Sequence, residues 1–378
     1  MKLLIAGDFC DSHRVSKYIE EKNFSPVIND CRKVIVNSDI RVVNFEFPIV
    51  DEHFPAMPIS KAGPLLKGNR NSIDFLKYAG FNVCTLANNH ILDQGEKCCL
   101  NTKHLLEFSG ISTVGVGENL EDANKILYIK HNQETLAIIN CCEHEFSVAT
   151  HKTAGANPLN PIQQYYKIQE ARKNADFVLV IVHGGHEYCQ LPSPRMKELY
   201  RFFIEVGADA VVNHHQHCFS GFEIYKGKPI FYGLGNFIFD KIGRINSSWN
   251  EGFLLELVFD KKDRPAYNII PYSQCNDSPT VSLMRDDDLL NFKQRLIELN
   301  RIISDDELLL KEWKRWILDN SSYFLMAFEP YHSRIAKALY KRGLLPSFMN
   351  KRKKMGIINH LECESHLDRL RLMINSIV

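Results

Sequence analysis

Residues 211–218 read VVNHHQHC, so His214, His215 and His217 crowd the end of an apolar run. Imidazole is the commonest metal ligand among side chains. The same pattern, an apolar run ending in polar groups, recurs upstream. Asp8 stands in AGDF, Asn44 and Glu46 in VNFEF, Asn88, Asn89 and His90 in LANNHILDQG, and His183 in VIVHGGHEY. Carboxylate, carboxamide and imidazole together form a donor set for a borderline divalent cation. A histidine beside such a set can act as a general acid.

Each residue also has a plainer reading. Asp8 either binds a metal or caps the helix that follows. Glu46, if buried, must be paired or metal-bound, because an isolated buried charge is costly; otherwise it faces outward from an edge strand. Asn88, Asn89 and His90 either present a ligand and an acid or form a polar turn. Asp93 reads as the start of the next helix, a structural role. His183 ends its run and is a ligand candidate, Glu187 would touch substrate or a histidine, and His186 reads as surface loop. In an extended segment residues two apart point the same way, so His215 and His217 would face one crevice and His214 would turn away. Asn236 follows a Gly-x-Gly and either binds substrate or holds the turn. That Gly-x-Gly lacks the third glycine and the helix of a dinucleotide fingerprint.

The elements that must position these residues follow from the hydrophobic pattern. Up to about residue 240, short apolar runs alternate with helix-length amphipathic segments, which implies sheets with helices on their faces. KLLIAGD, IRVVNFE, FNVCTLANNH, DFVLVIVHGG and DAVVNHH read as strands, each followed by polar groups. Ligands collect at the carboxyl edge of strands in such folds, so the clusters would converge on one crevice. KILYIKHNQETLAIINC and FEIYKGKPIFYGLGNF read as hairpins, the second around Lys226-Gly227. Beyond about residue 280 the periodicity is helical throughout. We therefore divide the chain into an α/β domain over residues 1–275 and a helical appendage over residues 280–378. The run Lys351-Arg352-Lys353-Lys354 in the appendage reads as a solvated loop, with peripheral membrane contact as the alternative.

Composition narrows the classes. The 378 residues are 45% hydrophobic and 24% charged with a formal net charge of +1. This describes an ordinary globular protein and gives no reason to expect nucleic acid as a partner. The apolar run at the start is too short for a signal peptide or a membrane span. Eleven cysteines, an odd number without a CxxC knuckle, read as reduced thiols. Together these point to a cytoplasmic protein.

The motifs in order, AGDF, VNFEFPI, LANNHILDQG, VHGGHEY and NHHQHCFSGFEIYKGKPIFYGLGNFIFD, resemble those of the CapA/PgsA family. Those are the bacterial capsule and poly-γ-glutamate synthesis proteins within the calcineurin-like metallophosphoesterase superfamily. The resemblance covers about residues 3–240. It implies a four-layer α/β/β/α sandwich and two divalent cations, with Mn, Fe and Zn all compatible. Asp8 and His217 would bind the first cation, Asn89, His183 and His215 the second, and Glu46 would bridge them. His90 would protonate the leaving group or steady the transition state, with Asn88, Glu187 and Asn236 as substrate or supporting contacts. The implied function is metal-dependent hydrolysis of a phosphoester-type bond in a small molecule or polymer precursor during surface-polymer synthesis. A non-catalytic assembly role is the alternative. Cys10 stands where much of the superfamily has a histidine ligand, and it reads either as a thiolate ligand or as core. Asn213 and Gly185 replace a glycine and a tryptophan usual in the family.

Overall fold

The computed structural model describes residues 1–261 and 264–377. The chain divides into two compact units, Met1–Leu310 and Lys311–Val378.

The first unit is built on two sheets. One runs in the order Val281–Leu283, Ala266–Gln274, Glu251–Val258, Lys2–Cys10, Ile40–Phe45, Val83–Thr85, Ser112–Val114, and Asn236–Phe239 also pairs with Lys2–Cys10. The other runs Phe222–Tyr225, Lys228–Phe231, Ala210–His214, Phe177–His183, Glu134–Cys142, Leu127–His131. The period-2 alternation of each strand supplies a layer on each face. Leu3, Ile5, Val42 and Val83 of the first sheet pack against Ile138, Leu179, Ile181 and Val212 of the second. The opposite face of the first sheet packs Leu4, Val43 and Cys84 against Ile19, Phe75, Leu76 and Leu106 from helices. The opposite face of the second packs Val178, Val180 and Val211 against Ile168, Tyr200 and Phe203. Helices, sheet, sheet and helices thus form the four layers expected.

Local signals set the helix ends. Asn160 accepts from the amides of Ile162 and Gln163 and is followed by proline at the start of Pro161–Asn174. Ser193 caps Pro194–Glu205 in the same way. Asn71–Ala79 stops at Gly80, whose φ of 99° suits a residue without Cβ.

Two expectations change. The hairpin around Lys226-Gly227 forms, but Asn236–Phe239 leaves it and runs parallel to Lys2–Cys10 in the other sheet. That crossing needs Gly7, since a Cβ there would lie 1.8 Å from Gly235 O. The division between units also falls later than residue 275. Helix Asp286–Ser304 buries Phe292 and Leu296 in the core between the sheets, so it belongs to the first unit. The second unit is helical, with Arg334–Lys341, Lys351–Glu362 and Glu364–Ile377 as its main elements. No helix among the described residues is long and apolar enough to cross a membrane.

Candidate metal centre

The parallel pairing Asp8↔Asn44 in one sheet and His183↔His214 in the other brings the carboxyl ends of these strands together. Asp8 sits at a register irregularity of the first strand. Glu46 follows the end of Ile40–Phe45, and His183 is the last residue of Phe177–His183.

Two groups of ligand-type atoms gather there. Asp8, Glu46 and His217 bring one atom each within 4.8 Å of one another, and so do Glu46, His183 and His215. Glu46 belongs to both groups. Its Oε1 is buried, has no hydrogen-bond partner, and lies 3.7 Å from His183 Nε2 and 3.7 Å from His217 Nε2. Around His183 Nε2 stand Asn89 Oδ1 at 3.0 Å and His215 Nδ1 at 3.1 Å. Buried acceptors facing one another without enough donors are rare in folded proteins. A divalent cation in each group would satisfy them, so the residues fit the metals that the family resemblance implies.

Charge effects point the same way. Burial pushes the Asp8 carboxyl up to about 7, against lowering contributions from its hydrogen bonds with Asn44 and His215. Glu46 is raised well above the carboxylate range, first by burial and then by the Asp8 charge. Burial lowers His215 to about 4 and His217 to about 3. His183 is lowered well below the usual value by burial and then by neighbouring histidines. Neutral imidazoles are ready to ligate, whereas the carboxyls need a compensating positive charge to ionise.

Supporting contacts fix the ligand atoms. Asn236 donates from Nδ2 to the carbonyls of His217 (3.1 Å) and Trp249 (3.1 Å), so its Oδ1 faces His217 Nδ1 at 2.9 Å. The proton therefore sits on Nδ1, and Nε2 carries the lone pair towards Glu46. Asn236 holds His217 and the turn together. Asn44 Nδ2 donates to Asp8 Oδ1 at 2.7 Å. Asn89 Nδ2 donates to Glu145 Oε2 at 3.2 Å, which aims Oδ1 at the histidines, and Glu145 also lies 3.7 Å from His215 Nε2. Asn88 braces the loop by donating to Phe45 O (2.8 Å) and accepting from the His90 amide (3.1 Å). Glu187 is half-buried and outside both groups; its charge acts on Glu46 and His215.

His90 is held by groups that sequence reading does not assign to it. Asp93 Oδ2 lies 2.6 Å from His90 Nδ1, and Lys61 Nζ lies 3.2 Å from the same nitrogen and 2.6 Å from Asp93 Oδ1. All three side chains are buried. Asp93 is thus more than the helix start the sequence suggests, because the turn after His90 folds its carboxylate back onto the imidazole. Both contacts engage Nδ1 of His90.

Three further expectations are resolved. His215 and His217 do not converge by strand alternation: Ala210–His214 ends before them, and both have positive φ, 93° and 55°. His214 lies outside both groups. Cys10 is buried in the apolar cluster between sheet and helices and is absent from both groups, so it packs as core. Asn213, in place of the usual glycine, donates to the carbonyls of Gly184, His214 and Tyr232 and ties the strand ends that carry His183 and His215. Glu145 is discoverable in sequence, since it follows the strand ETLAIINCC as the other polar clusters follow theirs. Lys61 lies in a loop with no periodic signal.

Fold and site together define an α/β protein around a buried carboxylate–imidazole cluster able to hold divalent cations. The profile of the PGA_cap family, described as bacterial capsule synthesis protein PGA_cap, matches residues 2–241. The chain belongs to this family. It is 32% identical over 247 residues to the capsule biosynthesis protein CapA of Bacillus anthracis, covering 64% of this chain and 60% of that protein. It is 33% identical over 238 residues to the PGA biosynthesis protein CapA of Bacillus subtilis (strain 168), covering 62% of each. The chain therefore matches about three-fifths of the length of these relatives. A crystal structure of a hypothetical protein from Thermus thermophilus aligns with 75% of this chain and 100% of that one, at TM-score 0.47 and 17% identity.

Proposed function

We propose that this chain is a metal-dependent hydrolase of the metallophosphoesterase type, acting on a phosphoester-bearing small molecule or precursor in the synthesis of capsule or poly-γ-glutamate-like polymer. One observation carries the reading: a buried Glu46 oxygen without a donor, 3.7 Å from a histidine nitrogen on either side. Asp8, Glu46 and His217 would hold one cation, and Glu46, Asn89, His183 and His215 a second. Such a pair polarises a phosphoryl group and supplies a nucleophile from water near neutral pH. The chain's own residues do the rest. Asn236, Asn44 and Glu145 fix the ligand side chains, and the buried wall excludes bulk water. Asp93 and Lys61 hold the Nδ1 edge of His90, which leaves Nε2 to give a proton to the departing oxygen. General acid catalysis of this kind contributes about 10²–10⁴-fold.

The test is metal analysis of the purified protein together with hydrolysis of p-nitrophenyl phosphate and bis(p-nitrophenyl) phosphate in Mn, Fe or Zn. Bound metal and turnover that chelation abolishes support the reading. A protein that takes up none of these metals and hydrolyses neither ester refutes it.

The burial of Cys10 in the core favours a second reading, a non-catalytic assembly component, because it leaves the Asp8 group with three ligands from the chain. Alanine at His183 and His215 separates the two in a polymer-producing strain. Unchanged polymer from a folded double variant supports the assembly role.

A further inference from the structure

The helical unit carries a surface that the site does not use. Between Glu329 and Glu362 the sequence contains no acidic residue and eight basic ones: Arg334, Lys337, Lys341, Arg342, Lys351, Arg352, Lys353 and Lys354. The whole chain is nearly neutral at +1, so the remainder is net acidic and the positive charge is segregated here. Among the described residues none of the eight forms an ion pair with a carboxylate; Lys353 donates instead to Phe328 O, and Lys341 lies over the Tyr323 ring.

Apolar side chains are exposed in the same stretch. Ile335 is 76% exposed, Leu344 66%, Phe348 55%, Met355 56% and Leu361 51%. Residues 351–354 are not the solvated loop read from sequence. Asn350 caps them as the first turn of helix Lys351–Glu362. In that helix Met355, Ile358 and Leu361 follow one another at spacings of three, which places them along one exposed stripe, with Lys351 and Lys354 on the same side. Four cations in the first turn oppose the helix dipole and weaken the free helix. Such a local conflict is expected where function outweighs stability.

We propose that this basic, apolar stripe of helix Lys351–Glu362 docks on an anionic membrane surface. Exposed aliphatic and aromatic groups enter the boundary between headgroups and acyl chains, and long lysine and arginine stems reach the lipid phosphates. Charge complementarity selects anionic lipid over other apolar occupants. A second copy of this chain would set like charges against each other across the contact.

The test uses the full chain and flotation with vesicles of phosphatidylcholine containing about a third phosphatidylglycerol, against phosphatidylcholine alone. Binding is expected to the anionic vesicles only, and to fall when salt shortens the Debye length from about 10 Å to about 3 Å. Replacing Lys351, Arg352 and Lys354 with Ser is expected to weaken partition about a hundredfold. A second variant, Met355→Ser with Ile358→Ser, changes only exposed positions and is expected to lose binding while keeping the wild-type helical circular dichroism. Four outcomes overturn the proposal. The wild type binds neither vesicle; it binds both equally; the serine pair binds as the wild type does while a soluble polyanion competes fully; or the serine pair instead abolishes a concentration-dependent dimer. None of these readouts depends on hydrolysis, so failure here leaves the reading of the metal centre untouched.

Discussion

Replacing Asp8 by Asn is expected to stabilise the metal-free protein above neutral pH and to destroy its response to metal. Burial raises this carboxyl from 3.8 to about 7. Between those values the folded chain binds more protons than the unfolded one, so this group's contribution falls as pH rises from about 4 to about 7. At 1.36 kcal/mol per unit, ionised Asp8 costs the metal-free fold about 4 kcal/mol above that window. Asn cannot ionise and so escapes the penalty. It can still accept from Asn44 Nδ2, but its amide group meets the His215 amide that Asp8 Oδ2 accepts from at 3.2 Å. That mismatch costs about 1–3 kcal/mol, which leaves a net gain of about 1–3 kcal/mol. The histidines run the other way. His215 and His217 are lowered to about 4 and about 3, so their contribution is present above 6.5 and is lost as pH falls through those values. They are common to both proteins and cancel in the difference. Urea unfolding after chelation measures it, at about pH 4 and about pH 8. The variant should be no more stable than the wild type at the lower pH and more stable at the higher, and added Mn or Zn should reverse that order by binding the wild type. A metal-free wild type at least as stable as the variant at about pH 8 would refute the reasoning.

Glu46→Gln should abolish uptake at both groups, while His217→Ala should remove one metal per chain, as read by elemental analysis; equal losses from the two variants would show that Glu46 is not shared. Asp93→Asn and Lys61→Met should each keep metal content but lower turnover by about 10²-fold or more, with the larger loss on esters of poor leaving groups. A uniform loss across leaving groups would remove His90 from the role of acid. Cys10→Ala should keep full metal content and cost about 1 kcal/mol of stability from lost packing; loss of metal would make the thiol a ligand after all.

The alternation of strands and helices is legible where an element is long enough for its own period to show. FVLVIV is apolar throughout, as a strand covered on both faces must be, and Phe177–His183 is buried along its whole length. The partition into two sheets is not legible from pattern, since burial looks the same in either sheet. Asn236–Phe239 is the clearest case: its pairing with the first strand joins residues far apart in sequence, and no local signal specifies it. Helix Asp286–Ser304 is misallotted by pattern for a related reason. Its amphipathic face shows that it packs, not on what.

The ligand-type residues are legible because they break a rule that their neighbours keep. Glu46 is fully buried in an apolar context, and Asp8 is fully buried at a strand irregularity. Lys61 and Asp93 break no such rule, because a lysine in a loop and an aspartate before a helix are where such residues usually stand. Only their arrival at one imidazole gives them meaning.

The conflict at the site is not electrostatic alone. His215 and His217 both adopt positive φ, at 93° and 55°, and a non-glycine residue there costs about 1–3 kcal/mol. Strain of the backbone at His215 and His217 and protonation of the carboxyls of Asp8 and Glu46 are independent penalties, and both fall within one site. Packing alone would relieve both: glycine at 215 and 217 removes the strain, and an apolar side chain at 46 removes the buried charge. A cation held there would account for the residues that are present, because it would need imidazoles delivered from that turn and a carboxylate shared between the two groups. Cys10 fits the same logic by contrast. It ends the first strand inside an apolar cluster, without positive φ, and there it serves packing.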